Sequence, residues 1–200
     1  VLSPAQLARY ARPGVPSGNS VRAGATIKEN SYNRWPNNIV PYKLSGEYGP
    51  KSQQLLRTAL LALETMACFA FVERTDEPDY LYIAPKDGCY SFVGRTGGRQ
   101  LVSLSADCLA DYIIWHELMH ALGFEHEHQR PDRDRHIRVE YKNVQAGQMV
   151  NFEKLRPDAV DYLEPYDYRS IMHYNSFSFG RFDKKSGKRL ATMIPIKVFS

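Results

Sequence analysis

All six histidines of this 200-residue chain fall between positions 116 and 173, and three of them lie within the eleven residues HELMHALGFEH. His116 and His120 are four apart. On a helix that spacing separates two side chains by about 40° around the axis and about 6 Å along it, so both imidazoles reach toward one point from the same face. Neutral imidazole is a good ligand for a divalent transition metal. Glu117 follows the first histidine but is rotated by about 100°, too far round to be a third ligand on that face. Its carboxylate can instead reach a water on the metal and take its proton. Gly123 lets the chain leave the helix in a conformation that other residues resist, which can bring His126 back as the third ligand. Three histidine nitrogens with one open position are the donor set of a catalytic, not a structural, zinc site. One catalytic Zn2+ per chain, with a water at its open position, is the arrangement that fits. His128 and His136 stand among charged residues and are expected to be solvated; the spacing gives His173 no ligand role.

Such groups need a helix to carry them and a fold to hold the helix. ADYIIWHELMHAL (110–122) is helical in pattern and stops at Gly123, a natural helix end. SQQLLRTALLALETMACF (52–69) has apolar residues at Leu56, Ala59, Leu60, Leu63 and Ala67, which is helical spacing. WPNNIVPYKL reads as a turn and a short strand, and FAFVER, DYLYIAP and LVSLS as further short strands. Beyond Pro131 the pattern is mostly irregular, with one helix predicted around 143–154. Helices and strands mix without strict βαβ alternation, so the class is α+β. RPGVPSGNSVRAG (12–24) reads as flexible leader.

Composition narrows the partners. Hydrophobic residues at 43% and charged residues at 24% are near the globular norm, which excludes wholesale disorder. The longest apolar stretches, IIW and ACFAFV, are far short of the roughly 20 residues that span a bilayer, so no membrane association is expected. The net charge of +4 resides in the leader: residues 1–28 hold Arg9, Arg12, Arg22 and Lys28 and no acid, leaving 22 bases against 22 acids in the rest. A nucleic-acid partner is not expected, because its basic stripe belongs on the folded domain. A bridge between Cys89 and Cys108 would close a loop of about 20 residues, worth about 3 kcal/mol, and would leave Cys68 over. Three reduced buried cysteines fit the count equally well.

HExxHxxGxxH is the metzincin pattern, and that class expects a methionine turn further on, which Met172 in SIMHY (170–174) supplies. The longer run HELMHALGFEHEHQRPDRD (116–134) resembles the extended zinc signature of the astacin metallopeptidases, HExxHxxGFxHExxRxDRD, and matches every fixed position. SIMHY likewise matches the family's SxMHY. The resemblance extends weakly to WPNNIVPY and to the Cys89–Cys108 spacing, and covers roughly residues 24 to 180. It implies a secreted, monomeric endopeptidase that starts as a zymogen and cuts protein or peptide substrates. The implied fold is two-lobed: a twisted mixed sheet with the zinc helix above, and an irregular lower lobe with His126 and the methionine turn. The family's roles place His116, His120 and His126 on zinc and make Glu117 the general base. Tyr174 would ligate zinc in the resting enzyme and swing out to stabilise the oxyanion, Met172 would pack beneath the metal, and Glu127 would pair with the N-terminus of the mature chain. Cys89 and Cys108 would form a disulfide.

Two departures from the family pattern bear on these expectations. Residues 1–28 contain no Asp, Glu or Cys, so no acidic or thiol latency switch is expected from them. Residues 1–23 are read as a removable leader, with cleavage near Arg22 and the peptidase domain over 24–200. Family domains continue into a final helix whose cysteine pairs with the counterpart of Cys68; none follows here before Ser200, so an incomplete C-terminus is expected. That leaves an alternative function, a catalytically impaired zinc-binding interaction protein of the same fold. The presence of Glu117 argues against it, since a binding-only protein needs no base beside its ligand.

Overall fold

A computed structural model describes residues 25–28, 32–162 and 164–196. The leader expected over 1–23 lies outside the described residues. In chain order the elements are β1 (Thr26–Ile27), β2 (Ile39–Leu44), α1 (Pro50–Met66), β3 (Ala70–Glu73), β4 (Tyr80–Ala84), β5 (Cys89–Ser91), β6 (Arg99–Leu104), α2 (Asp111–Leu122), β7 (Ile137–Val139), β8 (Val160–Asp161) and β9 (Met193–Pro195). They fall into two compact units. One comprises Trp35–Phe92 and Thr96–Leu118; the other comprises the described residues among 22–34, Val93–Arg95 and those from 119 onward.

The first unit holds the sheet, in the order β3-β2-β4-β6-β5. β2, β3, β4 and β6 are parallel, and β5 closes one edge antiparallel to β6. Parallel neighbours need a crossover, and α1 supplies one between β2 and β3. The helix starts at Pro50, where a missing N–H costs nothing, and buries Leu56, Ala59, Leu60 and Leu63. Along β4, Leu81 and Ile83 are buried, while the alternate Tyr80 and Tyr82 lie under the guanidinium groups of Arg74 and Arg99 at 4.1 and 3.9 Å. One sheet face is core and the other is capped by cation–π pairs.

The start of α2 is fixed from two sides within this unit. Cys89 of β5 is bridged to Cys108, which ends the 3-10 turn just before the helix. The Trp115 indole N–H donates to the Ala59 carbonyl on α1 at 3.0 Å. Cys68 is free and exposed.

In the second unit the strands are short: β1 pairs β8 and β7 pairs β9, both antiparallel. Its core gathers Ile137, Val144, Phe152, Tyr166 and Met193, with Val139, Tyr168, Tyr174 and Phe179 packed against it. The helix predicted around 143–154 is not formed. That stretch makes two 3-10 turns, Tyr141–Asn143 and Met149–Phe152. Gly147 between them has φ +79°, and the Gln145 N–H is committed to the Phe179 carbonyl at 2.9 Å. One backbone donor is thus taken by a distant segment, and its neighbours close three-residue turns in place of an α-helical ladder.

Candidate metal centre

Helix α2 carries His116 and His120 at the spacing that aligns them, and the turn after it returns His126. One ring nitrogen from each of the three lies within 4.8 Å of the others. The turn has a defined hydrogen-bond pattern. Gly123 at φ +105° donates its N–H to the His120 carbonyl at 2.8 Å, and the Phe124 N–H reaches the Met119 carbonyl at 3.0 Å. These two bonds make a Schellman helix end. A side chain at Gly123 would also collide with Ile27, whose Cδ1 and Cγ1 stand 2.9 Å from where a Cβ would be.

Beyond the turn, residues 25–27 run antiparallel to 123–125. Ile27 N–H donates to the Gly123 carbonyl and Glu125 N–H to the Ala25 carbonyl, each at 2.9 Å. His126 therefore leaves a segment held at both of its ends by residues 25–27. Nothing in the composition of 25–27 marks it as a partner of the ligand turn, and sequence reasoning misses it.

The hydrogen bonds of two histidines determine which nitrogen of each ring donates. The Nδ1–H of His120 donates to the Phe124 carbonyl at 2.8 Å. Gln129 Nε2 donates to the Glu153 carbonyl at 3.3 Å, so its amide oxygen is turned to His126 Nδ1 at 3.1 Å and accepts from it. In both rings the lone pair is left on Nε2, and the two Nε2 atoms face each other at 3.2 Å. Two lone pairs at that distance repel unless they share a cation. Two ligands on a tetrahedral zinc, with Zn–N near 2.0–2.1 Å, are separated by about 3.3 Å. The donor set and its spacing thus fit zinc.

Glu117, 7% exposed, has its carboxyl pushed up to about 7 by burial. Met172 is buried, and its carbonyl accepts the Glu127 N–H at 3.0 Å. This bond ties the methionine turn to the 3-10 turn Glu127–Gln129 that follows His126. The Tyr174 ring centre lies 4.6 Å from that of His126.

Two residues are more buried than their neighbours in sequence suggest. Arg130, 2% exposed, donates to Glu127 Oε1 at 3.0 Å, to both oxygens of Asp132 at 2.9 Å and to the Glu164 carbonyl at 3.0 Å. Glu127 Oε1 also accepts the Asp167 N–H at 2.8 Å, while Oε2 is buried with no partner among the described residues. Burial pushes the Glu127 carboxyl up against the pull of Asp167 N–H and Arg130.

His128 corrects the expectation of solvation: it is fully buried. Its Nε2–H donates to the Asn151 carbonyl at 2.9 Å, and burial pushes its pKa down to about 3. Charged neighbours in sequence do not expose it, because the 3-10 turn points it inward while Arg133 donates to its carbonyl at 2.9 Å. His136 is half-buried and stacks on Tyr166 at 4.6 Å. His173 is held by the Tyr166 hydroxyl at 2.7 Å and its own bond to the Tyr174 carbonyl at 2.6 Å.

The sequence profile of the Astacin peptidase family matches residues 27–198. Zinc metalloproteinase nas-12 of Caenorhabditis elegans is 58% identical over 197 residues, which cover 98% of this chain and 51% of that protein. Zinc metalloproteinase nas-4 of the same nematode is 44% identical over 179 residues, 88% of this chain and 55% of that one. The chain therefore spans about half the length of these relatives. Among solved structures, the hatching-enzyme zinc-protease high choriolytic enzyme 1 of the medaka Oryzias latipes superposes with a TM-score of 0.71 at 36% identity, covering 82% of this chain and 80% of that one. Extent of match, identity and fold agree: the chain belongs to the astacin family.

Proposed function

We propose that this chain is the catalytic domain of a secreted zinc-dependent endopeptidase that hydrolyses peptide bonds in protein substrates. The convergence of three histidine nitrogens within 4.8 Å, beside a buried glutamate, carries the reading. His116, His120 and His126 would hold the zinc, with Phe124 and Gln129 fixing two of the rings. When bound, zinc supplies Lewis acidity and makes water a competent nucleophile at neutral pH. Glu117 takes the proton from the attacking water and passes it to the leaving amine. Tyr174 aims its phenol at the developing oxyanion, where one well-placed donor is worth about a hundredfold in kcat or more. Met172 packs beneath the histidines and has no chemical role. Glu127 Oε2 accepts an amine: the new N-terminus released when the leader over residues 1–23 is cut near Arg22.

Hydrolysis of a quenched fluorescent peptide library tests the reading. Cleavage should be abolished by a chelator and restored by zinc. Glu117→Ala should lose about 10²- to 10⁴-fold, the usual contribution of a positioned proton-transfer group, while still holding one zinc. Zinc-loaded protein, trimmed at the leader, that cleaves nothing would refute it.

A further inference from the structure

A buried imidazole is an expensive way to fill space. His128 Nε2–H is satisfied by the Asn151 carbonyl at 2.9 Å, so Nδ1 carries the lone pair, and that atom is buried with no partner among the described residues. Phenylalanine or leucine would fill the site without an orphaned acceptor. What the imidazole adds over leucine is a flat ring, and over phenylalanine a hydrogen bond that pins the plane of that ring to the turn Met149–Phe152. The face of that ring is stacked on Tyr174, with centres 4.0 Å apart and planes 27° apart.

The other rings around Tyr174 are steeper or more distant. His126 is at 4.6 Å and 57°, Phe179 at 5.5 Å and 51°, and Phe152 at 6.4 Å and 83°. Of these four rings His128 lies closest to the phenol and most nearly parallel to it. Its anchor turn also supplies Phe152, so one short segment fixes both the imidazole and an edge contact of the same tyrosine.

We infer that His128 is a positioning residue: its buried ring is the shelf that sets the plane of Tyr174 beside His126. It touches neither substrate nor metal in this role and acts only through the tyrosine. The catalytic consequence rests on the reading that Tyr174 donates to the oxyanion, whereas the positioning itself does not.

Two measurements on the zinc-loaded chain separate the cases. The first is the flip rate of the Tyr174 ring, by NMR with ring-labelled tyrosine and Tyr174→Phe to assign the signal. His128→Gln, which removes the flat ring, should speed the flip at least tenfold; His128→Phe, which keeps a ring, should restore most of the hindrance. The second is steady-state hydrolysis. His128→Gln should lower kcat about tenfold with KM and zinc content unchanged, and His128→Phe should recover most of that loss. In a Tyr174→Phe background His128→Gln should change kcat less than twofold.

A flip rate unchanged by His128→Gln overturns the inference, as does an equal kcat loss with and without the Tyr174 hydroxyl. If the flip rate responds but Tyr174→Phe keeps full kcat, the oxyanion reading fails and the positioning stands. Should His128→Gln not fold, His128→Leu, which fills the apolar site without a flat ring, takes its place with the same expected outcomes.

Discussion

Replacing Gly123 by alanine tests whether the helix end builds the third ligand. Two costs follow from the geometry. A φ of +105° is a conformation in which an L side chain is strained by about 1–2 kcal/mol. The added Cβ would then stand 2.9 Å from two carbons of Ile27, and relieving such overpacking costs about 1–3 kcal/mol. Together they give about 3 kcal/mol, or about 6–12 °C in Tm for a chain of this size. The control is Gly147→Ala. Gly147 has φ +79° but open space around it, so only the strain applies, about 1–2 kcal/mol. Urea denaturation should therefore separate the two variants by at least about 1 kcal/mol. Competition with a chelator should show weakened zinc binding in Gly123→Ala only, because relief of the clash moves the segment that leads into His126. Equal stabilities for the two variants, or unchanged zinc affinity in Gly123→Ala, would refute the reasoning.

Gln129→Ala should weaken zinc binding about 10- to 100-fold, the usual effect of deleting a partner that orients a ligand, with little change in the stability of the metal-free protein. Unchanged affinity in chelator competition would show that His126 keeps its tautomer without help. Arg130→Ala leaves two acids, one of them fully buried, without their cation. It should cost about 3–5 kcal/mol in denaturant unfolding, and a loss below about 1 kcal/mol would contradict that. The Asp132 carboxyl is raised by burial, but its bonds to Arg130 outweigh this, and the nearby His136 adds to the pull, so it lies below the ordinary value. A depressed carboxyl stabilises above its unfolded pKa near 4 and stops doing so as pH falls through the folded value. The stability gap between the native chain and Asp132→Asn should therefore be constant above about pH 5 and close below about pH 4. A gap that widens on acidification would reverse the sign.

The donor set is legible because eleven contiguous residues contain it, and a helix converts their spacing directly into geometry. Gly123 announces the end of α2 for the same local reason. Helix α1 and strands β2, β3, β4 and β6 follow from periodicity, although their order in the sheet does not. What stays hidden depends on partners remote in sequence. The pairing of 25–27 with 123–125 has no local signature. The stretch 143–154 reads as helix, yet the Gln145 N–H goes to the Phe179 carbonyl and the neighbouring donors close three-residue turns. In the sequence His128 is one more histidine among charges; only the direction in which the 3-10 turn points it reveals a buried ring. Gln129 occupies a position that the zinc signature leaves open, and its contact with His126 depends on a carbonyl 24 residues further along.

The long reach of β1 has a consequence for how the protein is made. Lys28, just after that strand, pairs with Asp161 of β8, 133 positions away, and the same short segment braces the turn that presents His126. At a synthesis rate of about 5–20 residues per second, residue 161 leaves the ribosome roughly 7–30 s after residue 28. The strands of the parallel sheet all lie upstream of residue 105, so for the last roughly 3–11 s of that interval the complete sheet is free to form while the N-terminal segment has no β8 to join. The region around the third histidine is thus a late-folding part of the chain. A delay between sheet formation and acquisition of the zinc site is built into the order in which the residues emerge.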